Sequence, residues 1–289
     1  MTEDRRIQTV TPAFHTLEGE GFEVRRAIPT RAFEAVGPFI FLDHFGPIDV
    51  KPGDAKGAPT HPHAGIETLT LLLEGRFEHK DSLGNRSAMR PGEVQWMRAG
   101  RGIVHDEGPD QEIRAKGGPV HGVQLWLNMP KGQKHGDPAY RHVLVGEIPL
   151  IPTEQAGVRA RLIAGEVCGA KGPIETTGTP FVSHVTIGES GADLFLPVAN
   201  VSELALYVMV GSVRVGPDQR PVKAGEIARI GAGDALRISA DGAADLLLVG
   251  GDPLDAPIVR YGPFVMNTTD ELRQAVHDFQ SGLMGHIAA

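Results

Sequence analysis

His61 and His63 stand one residue apart, and further along the chain His105 and Glu107 repeat that spacing. In an extended strand side chains alternate faces with a period of two. Each pair therefore presents two ligand heads to one side. Two such strands facing each other inside a barrel would converge three imidazoles and a carboxylate on one point. Histidine is the commonest metal ligand, and a carboxylate oxygen completes a mixed shell of intermediate hardness. A six-coordinate divalent ion on four such ligands keeps two positions open for water, O2 or a chelating substrate. Structural zinc prefers a closed tetrahedral shell, often with thiolates. Cys168 is the only cysteine, so thiolate clusters and an intrachain disulfide are excluded.

Glu67 lies four residues past His63 and shares its strand parity. Three readings stay open for it: a further ligand, an acceptor that orients an imidazole, or a surface charge if a bulge intervenes. Gln124 either faces the same cavity or points outward, with Val123 and Leu125 inside. His44, His79 and His121 read as structural or rim residues rather than ligands. Arg98 and Arg101, flanked by Gly100 and Gly102, read as a solvated turn before His105.

The elements that must position these groups are strands. The run Glu67–Glu74 is β-rich and stops at Gly75; shorter runs follow at 76–80, 94–97 and 120–128, separated by Gly, Pro, Asn and Asp clusters. Short strands at this spacing imply a sandwich or barrel. The 37 Gly and 22 Pro carry no fixed period and read as turn punctuation. A length of 289 residues allows two domains, each with its own core. The polar segment 130–152 reads as a crossover, with an N-terminal metal-binding barrel over 1–135 and a C-terminal barrel with a closing helix over 136–289. That helix begins at Thr268, where Thr268 and Glu271 form a capping box. Leu272, Ala275, Val276, Phe279 and Leu283 follow at helical spacing, and Gly282 or Gly285 ends it.

The second half echoes the first. Residues 91–100 align with 224–233, and 71–75 align with 207–211. Carried across, His61 and His63 fall on Pro197 and Ala199, and His105 and Glu107 fall on Ile238 and Ala240. The reading is a duplicated β-barrel with a single metal site, in the first copy. A net charge of −8 argues against a surface that neutralises nucleic-acid phosphates. No apolar run reaches the ~18 residues of a membrane span, and no apolar region follows the first charged residues. The expectation is a cytoplasmic protein with no membrane and no direct nucleic-acid contact.

At these residues the chain resembles the pirin family of the cupin superfamily. The resemblance rests on His61-Pro-His-Ala-Gly-Ile-Glu-Thr68, on Gly92 to Glu107, on His121-Gly-Val-Gln-Leu-Trp-Leu-Asn128 and on Gly262-Pro-Phe-Val-Met-Asn-Thr268. It covers roughly Arg25 to Gly285, nearly the whole chain. It implies an all-β fold of two cupin barrels (a bicupin, or double-stranded β-helix) with a C-terminal α-helix. It also implies iron held by His61, His63, His105 and Glu107. An ordinary cupin takes its carboxylate from the first motif, which would be Glu67; pirins take it from the second, so Glu107 is the implied ligand and Glu67 supports it. Some pirins resemble quercetinases, which open a flavonol with O2. The implied activity is thus an Fe(II)-dependent dioxygenase, with Mn, Ni, Cu or Zn as other occupants and Glu107 as general base. The substrate would be a small aromatic enol such as a flavonol. The alternatives are a non-enzymatic, metal- or redox-sensing regulator that binds another protein, and a scaffold with a purely structural metal.

Overall fold

The computed structural model describes residues 2–32, 34–153, 155–254 and 256–288. The chain divides into two compact units. One comprises His15–Arg25, Phe41–Val145 and Leu254–Ala289; the other comprises Met1–Phe14, Arg26–Ile40 and Gly146–Pro253. These units do not coincide with the expected spans 1–135 and 136–289. The reason is strand pairing and packing: each end of the chain finds its partners in the opposite half of the sequence.

The histidine-bearing unit is built on two sheets. The first runs β5 (Ala58–His63), β10 (Ile103–Pro109), β7 (Phe77–Asp81), β8 (Arg86–Met89). The second runs β12 (Ala139–Val143), β9 (Val94–Arg98), β6 (Ile66–Glu74), β11 (Gly118–Asn128), β4 (Phe39–Val50), β3 (Phe22–Ile28), β2 (Phe14–Glu18). β12 corrects the reading of 130–152 as a crossover, because it pairs antiparallel with β9, Arg141 opposite Trp96. Alternation of Tyr140, Arg141, His142 and Val143 was a weak strand signal beside the Gly and Pro that precede it. Side chains join β8 to β12 at the edges of the two sheets. Ser87 Oγ lies 2.6 Å from His142 Nδ1, and His142 Nε2 lies 2.9 Å from a Glu93 oxygen.

Two further elements complete this unit. Helix α1 (Gln111–Lys116) was not foreseen; Asp110 caps it by accepting from the amides of Glu112 and Ile113. Helix α2 (Thr269–Gln280) follows the hairpin of β24 (Val259–Tyr261) and β25 (Phe264–Met266) and carries the expected capping box at Thr268 and Glu271. Leu272 and Ala275 pack with Ala64, Val104, Phe264 and Met266. The helix thus closes on the histidine-bearing barrel rather than on the half of the sequence that contains it.

In the second unit a six-stranded sheet runs β1 (Ile7–Pro12), β21 (Glu226–Ile230), β18 (Glu203–Val210), β23 (Ala244–Gly251), β16 (Pro180–Ile187), β13 (Val158–Ala164). A four-stranded sheet runs β17 (Ala192–Pro197), β22 (Ala235–Ala240), β19 (Ser212–Val215), β20 (Arg220–Lys223), and β14 (Glu166–Val167) with β15 (Ala170–Lys171) forms a small hairpin. The N-terminal β1 belongs here because it pairs with β21, Pro12 opposite Glu226. Leu194, Leu196, Val213, Val215, Leu236, Ile238 and Ala240 all enter one continuous apolar core.

Candidate metal centre

β5 and β10 are antiparallel neighbours in one sheet rather than strands facing across a barrel, with His105 opposite His61 and Ile103 opposite His63. His61 Nε2 lies 3.1 Å from His63 Nε2 and 2.9 Å from His105 Nε2. Ligand nitrogens about 2.1 Å from one metal ion and at right angles to each other stand about 3.0 Å apart. These three imidazoles therefore have the spacing of a shared ion.

The far sides of the rings set their tautomers. His61 Nδ1 is 2.8 Å from the Pro59 carbonyl, and His63 Nδ1 is 3.0 Å from the Pro263 carbonyl. A carbonyl only accepts, so in both rings Nδ1 carries the proton and donates, leaving the Nε2 lone pair free. Burial, then the neighbouring His61, pushes His63 down to about 3, against a smaller opposing effect of the Pro263 carbonyl. Burial, followed by His61, His63 and His79, holds His105 well below the usual histidine range. Both rings are neutral at pH 7, as ligands must be.

Pro263 reaches His63 because the C-terminal hairpin is clamped against the loop after β5. Lys134, fully buried, donates from Nζ to the carbonyls of Gly65 (2.8 Å) and Val265 (2.7 Å) and to Asn128 Oδ1 (2.5 Å). Gly65 has φ +76°, and a Cβ there would stand 2.0 Å from the Val265 carbonyl oxygen, so only glycine permits the approach.

Glu107 sits one step aside. The β5–β10 register shifts between His105 and Glu107, and Glu107 lies opposite His79 on β7. Two clusters result, His61–His63–His105 and His79–His105–Glu107, with His105 common to both. Glu107 is 7% exposed and accepts from Gln124 Nε2 at 2.5 Å. Of the two orientations open to Gln124, the inward one is adopted; its amide oxygen also accepts from Trp126 Nε1 at 3.3 Å. Glu67 is buried outside both clusters and accepts from Trp96 Nε1 at 2.9 Å.

Several neighbours were not singled out from the sequence. His79 was read as structural, yet it lies in the second cluster, with Nε2 3.1 Å from Asp81 Oδ2. The signal was present, since His79 and Asp81 share one strand face by the same i, i+2 rule. Trp126 sets its ring edge-on to His63 (centroids 4.9 Å) and stacks on Phe41 (4.4 Å, 15°), forming an aromatic wall. Pro263 could not be found by spacing, being 200 residues from His63. His44 and His121 remain outside the clusters, with Nε2 atoms 2.7 Å apart. Burial, then Arg25 and His121, pushes His44 down to about 2. Arg98 and Arg101 both turn to Asp137, as expected of a solvated turn.

Comparison with known proteins agrees with this architecture. Residues 21–127 match the family described as Pirin, and residues 182–285 match the Pirin C-terminal cupin domain. A Vibrio cholerae protein whose name carries a provisional quercetin 2,3-dioxygenase assignment is 36% identical over 98% of each chain. Pirin of Mus musculus is 37% identical over 94% of this chain and 91% of its own. The crystal structure of quercetin 2,3-dioxygenase from Acinetobacter baumannii superposes with a TM-score of 0.89 at 31% identity, over 99% of this chain and all of the other.

Proposed function

We infer the function from one premise: the chain belongs to the pirin family, with two cupin barrels of which one carries a histidine cluster. We propose that His61, His63, His105 and Glu107 hold one divalent metal ion, Fe(II) in the working protein, and that the centre opens flavonol-type enols with O2. The observation that carries this reading is the spacing of the three Nε2 atoms, 2.9 and 3.1 Å along the chain His105–His61–His63. Nitrogens crowded to these distances have the spacing at which one cation can take all three lone pairs. The donor set therefore fits a resident metal. Similarity to the quercetin 2,3-dioxygenase of A. baumannii favours the flavonol class.

A bound divalent ion supplies Lewis acidity toward a chelating hydroxyl–carbonyl pair and a path for electrons to O2. The protein supplies the rest. Glu107 takes the proton of the substrate hydroxyl as general base. Gln124, donating to Glu107 Oε1, keeps the other oxygen turned for that transfer. Phe41 and Trp126 give a flat aromatic substrate an apolar wall beside His63. Burial of His63 and His105 keeps water from competing for the rings.

The test is single-substrate turnover of quercetin by the metal-loaded protein with simultaneous O2 measurement. The expected result is loss of flavonol absorbance matched one-for-one by O2 uptake, at a rate far above the same metal in buffer. Glu107→Gln should lower that rate about 100-fold or more, in the range of a lost general base. A rate no greater than that of free metal would remove the enzyme reading. It would leave a metal-dependent regulator that binds another protein as the function to pursue.

A further inference from the structure

We propose that His79 and Asp81 are positioning residues that hold the His105 ring with its proton on Nδ1 and its Nε2 lone pair aimed at His61 and His63. The inference deepens the metal-centre reading and rests on it for its consequence, although not for its geometry.

His61 and His63 each secure their tautomer by donating Nδ1–H to a backbone carbonyl. His105 does it differently. The partner of its Nδ1 is His79 Nδ1, 3.5 Å away. Two ring nitrogens cannot both donate, so one of them must be the acceptor. The far side of His79 decides which. Its Nε2 lies 3.1 Å from Asp81 Oδ2. Asp81 accepts at Oδ1 from the amides of Leu83 (2.9 Å) and Asn85 (3.0 Å), and Asn85 Nδ2 adds a bond to each oxygen. Burial opposes ionisation of Asp81, but the bonds from His79 and Asn85 outweigh it and hold the carboxyl below its usual range. An ionised carboxylate only accepts. His79 therefore donates from Nε2; with that single ring proton committed to Asp81 its Nδ1 presents a lone pair, and the proposed order has His105 donate to it from Nδ1.

Local structure locks this order. In the β7–β10 ladder His105 stands opposite Asp81 and Glu107 opposite His79, so the relay crosses diagonally between strands. Tyr140 stacks on the His79 ring at 4.3 Å and 11°, fixing its plane. The turn that follows β7 is wound around the Asp81 carboxylate and cannot release it without breaking its own amide bonds. Metal-binding histidines generally present their second nitrogen to such an acceptor, and loss of it weakens metal binding about 10–100-fold. Here the acceptor is itself an imidazole, backed by a carboxylate.

The experiment uses the full chain as wild type, His79→Gln and His79→Phe, first free of metal. Long-range 15N–1H imidazole spectra assign the protonated nitrogen of His105. Gln offers one acceptor and one donor and can bridge the same two partners; Phe keeps the stack on Tyr140 and offers neither. Wild type and His79→Gln are expected to show Nδ1–H at His105, and His79→Phe a mixture or Nε2–H. Titration of the same three proteins with Ni(II) alone should then show binding about 10–100-fold weaker in His79→Phe and near wild type in His79→Gln. If His79→Phe does not fold, Asp81→Asn carries the test, with a shift in the same direction. Nε2–H at His105 in the wild type overturns the relay. So does unchanged tautomer and affinity in His79→Phe, or an equal loss in His79→Gln. A wild type that shows Nδ1–H but takes up no nickel overturns the metal-centre reading and leaves the relay standing.

Discussion

The two barrels put matching strands to opposite uses. In the histidine-bearing unit β5, β7 and β10 bring together His61 and His63, His79 and Asp81, and His105 and Glu107. In the other unit β17, β19 and β22 bury Leu194 and Leu196, Val213 and Val215, and Ile238 and Ala240 in a single apolar core. The strand frame alone therefore needs no metal to close. Buried polar groups are costly unless each has a partner, and the first barrel gives every one of its six a partner. The second barrel replaces the whole set by aliphatic packing. One arrangement is a site that trades packing for lone pairs; the other is the same space filled.

This contrast can be broken by transplanting it. The largest effect is expected from writing the aliphatic set into the histidine barrel, as His61→Leu, His63→Leu and His105→Ile together. Metal content should fall from one ion per chain to none by elemental analysis, while the metal-free protein stays folded. Retained metal would show that the imidazoles are not its ligands. Next, Leu196→Ala in the filled barrel should remove about 2–5 kcal/mol of stability by urea unfolding, as a cavity in a packed core does. Metal content should not change.

A comparable loss is expected at Lys134→Met, which removes the donor to the Gly65 and Val265 carbonyls and to Asn128 Oδ1, at about 1–3 kcal/mol per buried acceptor. Because these carbonyls tie the C-terminal hairpin to the loop after β5, metal affinity should fall as well. An unchanged affinity would separate the hairpin from the site. The smallest effect is a slope with pH. His63 is pushed down to about 3 and His44 to about 2 from the ordinary 6.5. The unfolded chain then takes protons first as pH falls below 6.5. Stability of the metal-free protein should be complete above that pH and decline toward pH 3, by up to about 1.4 kcal/mol per pH unit for each such group. Both tryptophans, Trp96 and Trp126, lie in the histidine-bearing unit, so their fluorescence follows its unfolding. A flat profile would mean that the buried rings titrate normally.

Period-two spacing made much of the site legible. His61/His63 and His105/Glu107 announce themselves in a strand, and the apolar residues at the aligned positions of the second half point to one site in a duplicated fold. The same rule, applied to His79 and Asp81, places both on one strand face. The echo in the second half is read three residues off in β17, where Leu194 pairs with Ile238 as His61 pairs with His105. Its expected counterparts Pro197 and Ala199 give way to Leu194 and Leu196 as the buried positions, while Ile238 and Ala240 lie in the core as aligned. A strand pattern with no polar landmark leaves register weakly marked. The contacts from Pro263 and Lys134 were beyond reach, since they depend on where the chain's last segment returns. That return also defeated the division at residue 135, because pairing of β1 and packing of α2 follow tertiary contacts rather than sequence order.

The most direct measurement is anomalous X-ray diffraction at the metal absorption edge, on crystals of the protein loaded with Fe(II) or Ni(II). One peak per chain is expected, among the Nε2 atoms of His61, His63 and His105, and none inside the barrel of Leu194 and Ile238. No peak at the imidazoles, or a peak in the aliphatic barrel, would contradict the metal-centre reading.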